Sequence, residues 1–266
     1  MKTPSLINAF FGICLVAILL AFKQDTPPRL QLFLLIGQSN MAGRGVPEAE
    51  DQQPHSRVWT LTKEQTWVPA RDPLHFDKPK VVGVGPGLAF AKRLAEQYPA
   101  MNIGLIPCAV GGSGIDVWKP GAYYEATKSH PYDDALARAK KALENGTLAG
   151  FLWHQGESDS KPGNTAVYGQ KLAELVQRLR SDLNAPNVPF VVGTLGDFVV
   201  KRNPNAQIIN ETLQQATKKI PNSYFIVSAG LTHIGDSTHF DAASARTLGR
   251  RYADAFIQHK LLKNKP

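Results

Sequence analysis

Short, nearly continuous apolar runs alternate along this chain with longer stretches of helical periodicity. The runs are Leu30–Ile36, Ile103–Ala109, Gly150–His154, Pro189–Leu195 and Ser223–Ser228. They lack an alternating polar face, as strands of a parallel sheet covered on both sides do. Between them, Leu88–Gln97, Pro131–Asn145, Tyr168–Leu183 and Gln207–Ile220 place apolar residues three and four apart, and Ala242–Leu261 closes the series in the same way. This β-α-β-α rhythm predicts an α/β fold, a doubly wound parallel sheet of about five strands in a single domain. Gly37–Pro86 is rich in Pro, Asp and Gln and is expected as an excursion over the sheet, an insertion and not a second domain.

The N-terminus departs from this rhythm. Lys2 precedes an apolar run from Leu6 to Phe22, broken only by Asn8 and Gly12, and Lys23 and Gln24 open a polar stretch. A basic start and a long apolar centre predict a signal peptide over residues 1–24, or an N-terminal membrane anchor if it is not cleaved. The protein is then exported, secreted or periplasmic, or held at a membrane. Cys14 follows Ile13, which is too large for a lipidation site. Residues 29–262 form the expected single folded domain.

Composition narrows the classes. With 266 residues, 43% hydrophobic and 20% charged, the chain can bury a substantial core. Its formal charge of +8 comes from scattered lysines and arginines, with one small cluster at Lys260, Lys263 and Lys265. No zinc-finger spacing or aromatic RNA-binding motif accompanies them, so nucleic acid is not an expected partner. Two cysteines, one of them in the leader, exclude a disulfide framework, and Cys108 reads as an inert core thiol.

In open α/β sheets the ligand lies beyond the carboxyl ends of the strands. The chain just after three predicted strands reads Gly37-Gln38-Ser39-Asn40-Met41, Val110-Gly111-Gly112-Ser113-Gly114 and His154-Gln155-Gly156-Glu157-Ser158-Asp159. Ser39 stands two residues past a strand, where its hydroxyl can be held exposed. A serine nucleophile needs a base. Asp236-Ser237-Thr238-His239, just before the last helix, sets a carboxylate three residues from an imidazole. That spacing lets the acid hold one ring nitrogen while the other faces a hydroxyl. Gly111 permits close approach of its backbone N–H, and the Gln155 amide offers a second donor for a developing oxyanion. Glu157 is a candidate brace of its own turn or an alternative acid. His154, Glu157 and Asp159 lack the spacing of a metal site, so no metal is expected.

These four blocks together resemble those of the sialate O-acetylesterase and acetylxylan esterase group of the SGNH hydrolase superfamily, most closely its carbohydrate esterase family six members. The resemblance runs from Leu32 to about Ala255 in the expected order. It implies a flavodoxin-like three-layer fold, Ser39 as nucleophile, His239 as base and Asp236 as orienting acid. It also implies an oxyanion hole of Ser39 N–H, a Gly111 or Gly112 N–H and Gln155, with neither metal nor organic cofactor. Glutamine in the third block, where the wider superfamily has asparagine, is shared by that group. The expected partner is an acetylated carbohydrate. A lipid or general short-chain esterase, or a carbohydrate-binding protein without catalysis, are the alternatives.

Overall fold

The computed structural model of the protein describes residues 28–262; the leader, with its expected role, lies outside them. Seven strands, β1 (Leu30–Gly37), β2 (Val58–Leu61), β3 (Trp67–Pro69), β4 (Ile103–Pro107), β5 (Gly146–His154), β6 (Phe190–Gly193) and β7 (Ser223–Ile226), form one sheet. Their order is β3-β2-β4-β1-β5-β6-β7. All neighbours run parallel except β2 and β3.

The count corrects the expected five strands to seven. Both additional strands lie in the Gly37–Pro86 segment, which extends the sheet edge through β2 beside β4. They are four and three residues long, and β3 carries Pro69 at its end. Runs this short show no readable period, and proline suits only an edge strand.

The helices are α1 (Ser39–Ala42), α2 (Pro86–Gln97), α3 (Pro131–Ala142), α4 (Asn164–Asp182), α5 (Asp197–Arg202), α6 (Asn205–Lys219) and α7 (Ala242–Gln258). Local chemistry sets several ends. Pro86 and Pro131 occupy first-turn positions, where a missing N–H costs nothing. In α3, Asp133 and Asp134 at the start and Lys140 and Lys141 at the end complement the helix dipole. Asp241 caps α7 by accepting the Ser244 N–H at 2.8 Å. Among the described residues no helix is long and apolar enough to cross a membrane.

Two aromatic clusters clamp the sheet. Phe33 of β1 meets Phe90 of α2 and Phe256 of α7 edge to face, at 4.8 and 5.4 Å. On the other face Trp153 of β5 packs on Trp118 at 5.3 Å and donates to the Tyr168 hydroxyl of α4. Each such ring contributes about 1.5–3 kcal/mol by leaving water. Because β1 sits between β4 and β5, the chain reverses winding there. The crevice beyond the ends of these three strands is therefore the switch point.

Candidate active site

Gly37 ends β1 with φ +127°, and a Cβ there would lie 2.2 Å from the His154 carbonyl oxygen. Only glycine lets β1 and β5 end this close together. The chain then turns directly into α1, with Ser39 as its first residue. As a first-turn residue, Ser39 has no acceptor for its N–H within the helix. Ser39 is 5% exposed, and its hydroxyl lies at the floor of a cavity of about 590 Å³.

The imidazole beside Ser39 arrives from the far end of the chain. His239 Nε2 lies 3.0 Å from Ser39 Oγ, and its Nδ1 lies 2.5 Å from Asp236 Oδ2. The other Asp236 oxygen accepts the Thr238 and His239 N–H groups, each at 2.9 Å. The one carboxylate thus both shapes the turn and orients the imidazole. Burial acts to raise the Asp236 carboxyl, but those N–H groups and the imidazole outweigh it and hold the group below its usual range.

Asn40, to which the sequence alone attached no role, joins the two halves. Its side-chain nitrogen donates to Thr238 O at 3.0 Å and to Glu157 Oε1 at 2.5 Å, and its oxygen accepts the Phe240 N–H at 3.1 Å. The residue after Ser39 therefore grips both sides of His239. Its adjacency to Ser39 was the only sequence signal.

The donor wall differs from expectation in two places. The Gly111 N–H is already taken, donating to Asp77 Oδ2 at 2.7 Å. Asp77 is itself paired with Arg44 at 2.8 Å, and both side chains are nearly sealed. Gly112, at φ +83°, has no acceptor for its N–H among the described residues, so it is the glycine whose donor is free. Gln155 is fully buried and does not line the cavity. Its amide nitrogen is spent on Asp159 Oδ2 at 2.6 Å, Gln38 Oε1 at 3.1 Å and Ser113 O at 3.2 Å. The strand end turns this side chain into the protein, so the expected direct oxyanion contact is corrected. Gln38 lines the cavity instead.

Glu157 lies beside the site without touching the imidazole nitrogens; its partner is Asn40. Burial raises its carboxyl, opposed by the Asn40 amide. His154 lies 4.0 Å from Glu157 and is wholly buried against Tyr252 and Phe240. Burial pushes its imidazole down to about 3, so at neutral pH the two do not form an ion pair. Asp159 faces Ile115 N–H and Gln155. His154, Glu157 and Asp159 thus turn to three different sets of partners.

The cavity mouth is mixed. Val81 and Ile234 are exposed aliphatics on its wall. Arg44, Lys78 and Arg202 also line it. Arg44 is bound to Asp77, and Arg202 donates to Thr238 Oγ1, while Lys78 has no partner for its ammonium among the described residues.

A serine hydroxyl, an imidazole and a carboxylate in line at the switch point of a three-layer α/β sheet are consistent with the class of SGNH-type folds. The particular family follows from comparison. Residues 29–258 match the family described as "SASA: Carbohydrate esterase, sialic acid-specific acetylesterase", and the chain belongs to that family. It is 32% identical to the "Probable carbohydrate esterase At4g34215" of Arabidopsis thaliana over 262 residues, covering 89% of this chain and 94% of the relative. The solved structure of that Arabidopsis protein superposes with a TM-score of 0.77 at 30% identity, covering 87% of this chain and 99% of the other. The NanS structure gives a TM-score of 0.72 at 21% identity over 88% of this chain and 98% of its own. XAC1771, a carbohydrate acetylesterase from Xanthomonas citri, gives 0.65 at 18% over 85% and 55%. The last two speak to the fold alone.

Proposed function

We propose that the protein is a serine O-acetylesterase acting on an acetylated carbohydrate, exported by its leader. The observation that carries this is the line Asp236–His239–Ser39, with contacts of 2.5 and 3.0 Å, opening on free N–H groups. Ser39 Oγ attacks the acetyl carbonyl carbon as His239 Nε2 takes its proton. The carbonyl oxygen becomes an oxyanion facing the Ser39 and Gly112 N–H groups. The bond to the sugar oxygen then breaks, and His239 returns the proton to that oxygen, leaving an acetyl group on Ser39. Water attacks the acetyl-enzyme with His239 as base, and acetate leaves.

Sugar is favoured over lipid because three cations and several hydroxyl-binding groups line the cavity, with only two aliphatics at its mouth. The unpaired Lys78 further favours a substrate carrying a carboxylate. Two measurements test the function together. A fluorophosphonate should label wild-type protein at Ser39 but not Ser39→Ala. Acetate release should be faster from O-acetyl sialic acid than from neutral acetylated xylan. Absence of label with no acetate from either substrate sinks the esterase assignment; faster release from xylan overturns only the acidic-sugar preference.

A further inference from the structure

We infer that the protein carries a second ligand site, remote from Ser39, which takes a carboxylate-bearing sugar ring. The site is a cavity of about 640 Å³ between the C-terminal turns of α4 and α6, near where β6 and β7 begin. Ser39 lies beyond the carboxyl ends of the parallel strands, so the two cavities occupy opposite ends of the sheet. Two cations, Arg180 and Lys219, line the second cavity, and none of the described residues lining it is acidic. Lys219 is exposed, and its ammonium has no partner among the described residues. Arg180 is only 9% exposed, yet forms no ion pair among the described residues, unlike Arg44 with its Asp77.

The hydrogen count on Arg180 shows what is left for a ligand. A guanidinium has five N–H hydrogens. Arg180 spends three of them, Nε on Val188 O at 3.2 Å, and Nη2 on Val188 O and Asn222 O, both at 3.0 Å. The two hydrogens of Nη1 have no acceptor among the described residues, and Nη1 is not among the unpartnered polar atoms sealed from solvent. In a side chain otherwise buried, that free edge opens on the cavity that Arg180 lines. Basic residues often serve helix C-termini, as Lys218 and Lys219 do in α6. That role leaves the charge in water, whereas burial here lowers the Arg180 guanidinium from its ordinary value with no carboxylate set against it. A buried cation without a counter-charge favours an incoming anion, and the two carbonyls hold the guanidinium in place before one arrives.

The rest of the lining selects what carries the anion. Gln177, Ser181 and Asn184 offer hydrogen-bonding side chains, while Val176, Ile220 and Pro186 offer apolar surface. A pyranose ring matches both, with hydroxyls at its edge and C–H groups on its faces. The volume falls in the range of about 300–1,000 Å³ usual for small-ligand sites. Free phosphate would match the cations but not the apolar wall, and a neutral sugar would leave Arg180 without its counter-charge.

Residue-resolved NMR titration of the wild-type protein with glucuronate tests the site. The backbone amides of Gln177, Ser181 and Lys219 should shift saturably, with a Kd of about 1 mM or below. Glucose, which lacks the carboxylate, and inorganic phosphate, which lacks the ring, should each bind there at least about tenfold more weakly. Lys219→Gln should weaken glucuronate about tenfold. Ser181→Glu sets a carboxylate in the cavity wall beside the two cations and should abolish binding, with thermal melting close to wild type. Glucuronate shifts confined to the surroundings of Ser39, at Gly112 and His239 for example, would overturn the second site, as would the lack of any saturable shift. Glucose or phosphate binding as tightly as glucuronate would overturn the ligand class. Undiminished glucuronate binding by folded Ser181→Glu would overturn the role of Arg180 and Lys219. None of these outcomes depends on the esterase function, which the fluorophosphonate and acetate measurements test separately.

Discussion

Two carboxylate-bearing turns flank the Ser39–Asn40 segment, and the protein uses them in opposite ways. The 236–239 turn is open, with the Asp236 and His239 side chains 39% and 24% exposed. The 154–159 turn is sealed: His154 and Gln155 are fully buried, and the Glu157 side chain is 5% exposed. Asp236 spends both oxygens within its own turn, one on backbone N–H groups and one on the His239 imidazole. Glu157 spends one on Asn40, and its other oxygen has no partner among the described residues. In the proposed reaction the open turn carries the group that changes charge and meets substrate. The closed turn fixes neighbours in place, where low dielectric makes each hydrogen bond strict.

The sharpest way to break this contrast is to amidate each acid in turn. Asp236→Asn should cost about 10⁴-fold in kcat with the fold kept, because an amide cannot hold the imidazole tautomer that accepts the serine proton. Glu157→Gln should cost less than about tenfold in kcat and show a larger drop in melting temperature. Both are read from aryl-acetate kinetics beside thermal melts. A folded, inactive Glu157→Gln with a nearly normal Asp236→Asn would exchange the two roles.

Asn40 belongs to both turns, so its removal should show both signatures. Asn40→Ala frees the 238–240 segment and should lower kcat by about 10²-fold, the cost of a misplacement near 1 Å. Crystallography of the variant, or loss of fluorophosphonate labelling rate at Ser39, would show the displaced His239. Lys78 probes the open side alone. Lys78→Gln should raise KM by about tenfold for a carboxylated substrate at low salt and leave a neutral ester unchanged. Equal effects on both substrates would detach Lys78 from charge recognition.

The closed side has its own pH signature, smaller and read in stability. His154 is neutral when folded, its pKa lowered from 6.5 to about 3. Below 6.5 the unfolded chain binds a proton that the folded chain refuses, so stability is complete above 6.5 and is lost as pH falls toward about 3. His75, lowered to about 4, adds the same trend. Melting temperatures taken across this window should decline less steeply for His154→Gln, which has no proton to gain. An unchanged slope would show that His154 is not a source. Activity, by contrast, needs the neutral form of His239, because an imidazolium cannot accept the Ser39 proton.

How much of this was legible along the chain depended on distance and on length. The nearly continuous apolar runs of β1, β4 and β5 announced the sheet, whereas the apolar stretches of β2 and β3 were too short to show any period. Glycine-rich segments after β1, β4 and β5 pointed to the switch point, because a parallel sheet leaves its ligands nowhere else.

By itself, the sequence determined the local pairing of Asp236 with His239, since three residues of turn bring the two groups together almost regardless of context. It also determined that Ser39 would follow a strand directly. Only the tertiary structure decided that His239 meets Ser39 across 200 positions, that the Gly111 N–H is spent on Asp77 while that of Gly112 is free, and which glutamine faces the cavity. Gln38 and Gln155 have the same amide and similar strand-end positions. Their directions are set by Ser158, Ser113, Asp159 and Tyr168, partners brought near by packing, and no periodicity encodes where a long-range partner will lie.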